Sequence, residues 1–178
     1  MWNNSNDTRA WRLHRRIEHD IKLAQEHPQR YTTDYLEDVR RDYGTLLFDI
    51  NLGHTDIWSL KAAKRYAQQG ILPVYEHGFG RNACGAYLWH YIQDNPNTTH
   101  EEFKRLIEPM CVTNRTTQVE NQKLREVQIT QPFGALWTQE YIYELAGVPT
   151  LKLTLPTGRK SWSQSLMKQM LKQMNVDI

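Results

Sequence analysis

The side chains best suited to chemistry begin with two acids. Asp34 in RYTTDYL and Asp49 in TLLFDIN each sit in a short run of alternating polarity, separated by the charged stretch 37–43 with Gly44 closing it. Such alternation predicts two strands, over 30–36 and 45–52, joined by a turn. Carboxylates on neighbouring strands can hold Mg²⁺, which takes oxygen ligands and keeps several waters, so that two protein carboxylates suffice. The chemistry would be metal-assisted attack of water on a phosphodiester. Glu18, on the helix that precedes these runs, can complete the set.

Other reactive residues are scattered. His54 and His77 fall at expected strand ends, where each is a candidate general base or phosphate contact; the plainer reading is a solvated loop histidine. Cys84 in NACGAYLWH loosely resembles a thiol nucleophile segment. A thiolate needs a histidine base, however, and no histidine follows His100, so a small buried hydrophobe is the better reading. Cys84 and Cys111 are the two cysteines, and neither stands at a zinc spacing from another ligand. They read as reduced thiols, which places the chain in the cytoplasm.

The elements that must position these groups follow from periodicity. Residues 8–26 read as a helix capped by Thr8, with Leu13, Ile17, Ile21 and Ala24 as its buried stripe; His27-Pro28 ends it. In the expected strand 45–52, Leu46, Phe48, Ile50 and Leu52 form the core face and Asp49 the other. Residues 55–69 read as a helix capped by Thr55 and stopped by Gly70, and 71–75 as a short strand parallel to the one before. That strand–helix–strand order argues for an α/β class.

After the loop at 76–81 the pattern becomes short helices. One spans 82–93, the next is capped by Thr98 or Thr99, a polar one covers 114–125, and a strand at 127–129 follows. This is the order of a winged helix-turn-helix, whose polar helix reads DNA. Arg115, Gln118, Asn121 and Lys123 are its candidate DNA contacts. A helix at 137–145 precedes a wing-like strand at 151–155. The turn PTGR then presents Arg159 and Lys160, and a helix over 161–174 ends the chain. The expected division is an α/β core at 1–80 and a mostly helical, winged-helix-like domain at 81–178.

The bulk properties agree with a packed protein: 178 residues, 39% hydrophobic and 11% aromatic. No apolar run approaches the roughly 20 residues that span a membrane, and the N-terminus has no apolar core of a secretory signal. Net charge is +2, too small to announce nucleic acid by itself. The cations are clustered, with Arg9, Arg12 and Arg16 on one face of the first helix and Lys152, Arg159, Lys160, Lys168 and Lys172 near the C-terminus. Solvated helix faces are the alternative reading.

The run TTDYLED, then LLFDIN, a helix ending KRYAQQG, and ILPVYE resembles the PD-(D/E)xK nuclease fold, and within it the TnsA-like endonuclease subunit of heteromeric cut-and-paste transposons. The likeness covers about 60 residues, 31–92. It implies a nuclease core followed by a winged-helix domain, Mg²⁺ as cofactor, Asp34 and Asp49 as metal ligands, DNA as substrate, and a transposase or ATPase as partner protein. Asn51 stands where the family places its catalytic lysine. The resemblance therefore implies either a displaced lysine, with Lys61 or Lys64 as candidates, or a core that binds DNA without cutting it. A protein-interaction adaptor that never meets DNA is the third reading.

Overall fold

The computed structural model describes residues 2–130 and 139–178, and in them the chain is mixed α/β. Contacts group it into two units that interleave along the sequence. Unit 1 takes residues 1–53, 79–112 and 128–137; unit 2 takes 54–78, 113–127 and 138–178. The division expected at residue 80 is therefore replaced by one in which the chain passes repeatedly from one unit to the other.

Unit 1 is helical. Helix α1 (Asn4–Glu26) starts four residues earlier than Thr8, because the Asn3 side chain accepts from the Asn6 backbone N–H at 2.8 Å. Its buried residues, Ala10, Leu13, Ile17 and Ile21, extend the expected stripe. Helix α2 (Thr33–Phe48) replaces both expected strands and the turn between them. Thr32 caps it, and Val39, Tyr43 and Leu47 recur every four residues as its buried face. Alternation over eight residues is compatible with a strand only until the longer window is read, and over 33–48 the helical period wins.

Gly44 does not close a turn. It lies mid-helix, where α2 crosses α4 (Arg81–Asp94). A Cβ on Gly44 would lie 2.1 Å from the Arg81 carbonyl oxygen, and one on Gly85 would lie 1.7 Å from that of Arg40. Two glycines thus let the helix backbones touch, a need met only by a residue without a Cβ. Helix α5 (His100–Ile107) completes the unit; of the two expected caps, Thr98 and Thr99, it is Thr99 that serves, in a reciprocal cap with Glu102. Phe103 and Ile107 are its buried anchors.

Unit 2 is built on a four-stranded mixed sheet, in the order β2-β3-β1-β4. Strand β1 (His54–Ser59) occupies the first part of the expected helix 55–69, and helix α3 (Leu60–Gln69) the rest. Thr55 and Asp56 resemble a cap, but Ser59 is the residue whose hydroxyl accepts from the Ala62 N–H, at 3.1 Å. Gly70 ends α3 in the left-handed region, at φ 70°. Strand β2 (Val74–His77) pairs antiparallel with β3 (Thr113–Thr116), and β3 runs parallel to β1. So β2 does not run parallel to its predecessor, and β3 is the neighbour of β1.

The expected recognition helix 114–125 and strand 127–129 are both corrected. Residues 113–116 are an interior strand, and helix α6 (Gln118–Thr130) absorbs the rest. Its cap is again reciprocal: the Thr117 N–H donates to Glu120 at 3.0 Å and the Glu120 N–H to the Thr117 hydroxyl at 3.3 Å. Strand β3 stands between α5 and α6, where a helix-turn-helix has only a turn. Helix α7 (Gln139–Leu145) follows; Trp137 and Thr138 of its expected span lie outside the described residues. Strand β4 (Thr150–Lys152) pairs antiparallel with β1, and α8 (Gln164–Gln173) packs against α3.

The core of unit 2 joins Trp58, Ala62, Ala63, Ala67, Leu153, Met167 and Leu171. Trp58 thus faces α3 and α8. Its neighbour Ser59 faces α6 instead, donating its hydroxyl to Glu120 at 2.6 Å. Adjacent strand residues point to opposite faces, so α3 and α6 cover opposite faces of the sheet.

Candidate functional site

Helix geometry separates the two acids expected to share a metal. Asp34 is in the first turn of α2 and Asp49 at its C-cap. At about 1.5 Å per residue they stand roughly 22 Å apart along one axis, whereas two oxygens on one Mg²⁺ lie within about 4 Å of each other. Both acids are exposed. Glu18 pairs instead with Arg15 at 2.8 Å and faces His14 at 3.7 Å. Lys61 is on α3, in the other unit. Asn51, in the lysine position of the resemblance, accepts the Gly53 N–H through its side chain at 2.8 Å, a local turn bond. These residues do not fit one metal ion. Among the described residues no group of three or more His, Cys, Asp or Glu gathers to hold one.

The thiols are inert. Cys84 and Cys111 are fully buried. Burial pushes the Cys84 thiol far up and that of Cys111 up to about 12, the opposite of what a nucleophile requires.

The cations of the first helix are partly spent on the fold. Arg9 donates to the Asp49 carbonyl at the end of α2, and Arg16 pairs with Asp20 at 3.7 Å and Asp42 at 3.3 Å.

Unit 2 gathers a different set. On β3, Thr113 and Arg115 share one face of the sheet, and Asn114 and Thr116 the other. The second face is buried and polar. Asn114 accepts from the Thr55 hydroxyl and donates to Gln139 at 3.2 Å, while the Tyr143 hydroxyl donates to Glu76 at 3.1 Å. Burial beside Glu76 raises the Tyr143 phenol well above its ordinary range. Glu120 accepts from Ser59 and from both Thr117 donors. These are satisfied polar groups of the interior.

The first face is partly open. His54 and Tyr75 stack with ring centroids 3.9 Å apart and planes 14° from parallel. Tyr75 is 50% exposed. The Arg115 guanidinium lies 5.1 Å from the Trp58 ring centroid and 5.8 Å from that of Tyr75, and donates to the Thr55 carbonyl. His54 Nδ1 meets the Thr113 hydroxyl at 2.6 Å. Burial first, and then the Arg115 charge, lower the His54 pKa. Both effects disfavour the charged imidazolium, which suits the ring to stacking on Tyr75.

Of the expected DNA contacts, Arg115 alone belongs to this face. Gln118 is exposed at the start of α6, with Asn121 and Lys123 further along it. Arg159 and Lys160 are exposed in the turn after β4, where Gly158 adopts φ 85°. Missing from the sequence reading was Tyr75, whose pairing with Arg115 and stacking on His54 need the β2–β3 register. The alternation V-Y-E-H gave a usable sign, since it puts Tyr75 opposite the buried Glu76.

No family model matches the chain, and neither a curated protein nor a solved structure does.

Proposed function

We propose that the protein binds single-stranded or locally unpaired nucleic acid on the open face of the unit 2 sheet. The observation that carries this reading is the half-exposed Tyr75, held flat by His54 and flanked by Arg115. Every base has a π-face, so an aromatic plate beside a guanidinium binds unpaired bases with little regard to sequence. Arg159, Lys160 and Lys123 add exposed cations that can follow a phosphate backbone. Duplex reading by a helix in the major groove loses its support because residues 113–116 form an interior strand. Cleavage by paired carboxylates loses it through the separation of Asp34 from Asp49.

The test is fluorescence anisotropy with a labelled single strand and the matching duplex. The expected result is tighter binding of the single strand, a steep loss of affinity with salt, and a five- to hundredfold loss in Tyr75→Ala, about 1–3 kcal/mol. Equal binding of Tyr75→Ala and the unaltered protein would sink the reading.

A further inference from the structure

The register of β2, β3 and β1 brings together two histidines that lie far apart in the sequence. His54 of β1 and His77 of β2 are both register partners of Thr113 on β3, one from each side. Residues paired across strands share a face. His77 also follows Tyr75 by two positions along β2, which puts it on the Tyr75 side of the sheet. Arg115 follows Thr113 by two positions along β3 and joins the same face. Neighbouring strands lie about 4.8 Å apart, so the two histidine backbones stand roughly 10 Å from each other across Thr113. His54 is exposed, and His77 and Arg115 are partly so.

Two imidazoles on either side of one position can serve a single reacting group as base and acid. The Thr113 hydroxyl holds His54 Nδ1 at 2.6 Å. That bond fixes the ring and leaves Nε2 as the nitrogen that exchanges a proton. Burial and the Arg115 charge disfavour the imidazolium of His54, which suits it to the role of base. The Arg115 guanidinium is held by the Thr55 carbonyl and by the Trp58 and Tyr75 rings. A fixed cation there can offset charge that develops on phosphoryl oxygens. The face therefore holds a base, an acid, a cation and a stacking ring around Thr113. One ligand of the class already proposed carries its own nucleophile: RNA has a 2′-hydroxyl beside each phosphodiester, and DNA lacks it.

We infer that this face cleaves unpaired RNA by transesterification, with His54 and His77 as general base and general acid. The inference deepens the nucleic-acid reading above and rests on it. His54 Nε2 takes the proton of a 2′-hydroxyl, whose oxygen attacks the adjacent phosphorus. The bond from phosphorus to the 5′-oxygen breaks, and the leaving oxygen takes a proton from the imidazolium of His77. The products are a 2′,3′-cyclic phosphate and a 5′-hydroxyl. The two histidines end with their protonation states exchanged, and water restores them. Arg115 offsets the charge of the five-coordinate phosphorus, while Tyr75 stacks on a base beside the scissile bond.

The test incubates the full chain with a labelled single-stranded RNA in EDTA and identifies the product ends by mass. The expected result is cutting that leaves 2′,3′-cyclic phosphates, with no cutting of the same sequence as DNA. The rate should fall about a hundredfold or more in His54→Gln and in His77→Gln. Anisotropy with the DNA strand, which cannot be cut this way, reads binding separately. His77→Gln should bind that strand like the unaltered protein, so its lost cutting is neither misfolding nor lost binding. Cutting that survives both substitutions, stops in EDTA or leaves other ends overturns the inference. RNA that is bound but not cut overturns it too and leaves the nucleic-acid reading standing. A chain that neither binds the DNA strand nor cuts the RNA overturns both.

Discussion

The two units bury their interiors by opposite means. Unit 1 packs helix on helix, and its tightest point is a backbone crossing at Gly44 and Gly85 where no side chain intervenes. Unit 2 has an apolar core on one side of its sheet and a network of Ser59, Asn114, Thr117, Glu120 and Gln139 on the other. Close packing tolerates no added volume. A satisfied polar network tolerates no lost partner. The contrast locates function as well. Of the unit 1 groups that attracted attention for catalysis, Glu18 is spent on an ion pair and the two thiols on burial, while Asp34 and Asp49 are exposed at opposite ends of α2. Unit 2 retains an open aromatic face in which a guanidinium flanks a half-exposed tyrosine.

The sharpest way to break the comparison is to add one methyl to unit 1. Gly85→Ala places a carbon 1.7 Å from the Arg40 carbonyl, so α2 and α4 must part. The expected loss is about 3 kcal/mol, the upper end for overpacking, read as a large fall in Tm. Gly147→Ala is the contrasting variant. Nothing lies within 4 Å of its added carbon, and the cost is confined to φ +61°, about 1 kcal/mol. Equal effects from the two would show that the helix crossing is not the tight point.

In unit 2 the matching experiment removes a partner. Glu120→Ala strands the Ser59 hydroxyl and both Thr117 donors, at an expected cost of about 1–3 kcal/mol by denaturant unfolding. Glu120→Gln keeps an acceptor oxygen and should recover a large part of it. If the two variants melt together, the carboxylate's hydrogen bonds do not hold this interior.

A pH series reads a buried histidine, with His54 of unit 2 contributing in the same direction as His14 of unit 1. His14 is buried in unit 1, stacked on Phe103 at 4.4 Å, and faced by Glu18, His100 and Arg15. Burial is the main cause of its lowered pKa; Glu18 opposes that shift, while His100 and Arg15 add to it. Because the folded state holds this proton less well than the unfolded chain, stability rises with pH across the interval between the two pKa values. The contribution is complete above about 6.5, the unfolded value, and is lost as pH falls through the folded one. Tm should therefore drop between pH 7.5 and 5, and the drop should shrink in His14→Gln. A slope unchanged by the substitution would assign it elsewhere.

What could be read in the sequence was the part governed by local chemistry. The α1 stripe, a threonine cap at 98 or 99, the Gly70 stop and the α/β class follow from neighbours a few residues apart. Strands were also expected at 71–75 and 151–155, where β2 and β4 overlap them in part; β1 and β3 were not, because they pair across about 60 residues and neither carries a clean alternation. Helix α2 was missed for the converse reason: LLFDINL alternates, and only Val39, Tyr43 and Leu47 together reveal the helical period. The Thr117-x-x-Glu120 cap was present as a signal and marks the true start of α6. Of the candidate site, Arg115 was visible as a cation, but its aromatic neighbours at 58 and 75 are brought to it only by sheet register.

The substitution that bears most on function is at the surface rather than in either interior. Tyr75 is half exposed, and among the described residues its side chain makes no hydrogen bond that holds the sheet together; its ring rests on His54 and Arg115. Replacing an exposed side chain away from the core usually costs within about 0.5 kcal/mol, and loss of the stacking pair adds about 0.5–1.5 kcal/mol at most. A residue kept for the fold alone would lose stability and binding in proportion. A residue kept as a plate for bases loses binding far more than stability. Tyr75→Phe sharpens the point, since it retains the ring and removes only the hydroxyl. It should bind strands like the unaltered protein, whereas Tyr75→Ala, still folded at the assay temperature, should not. Comparable binding losses in the two variants would mean that the phenol, not the ring, makes the contact, and the stacking account of this face would fall.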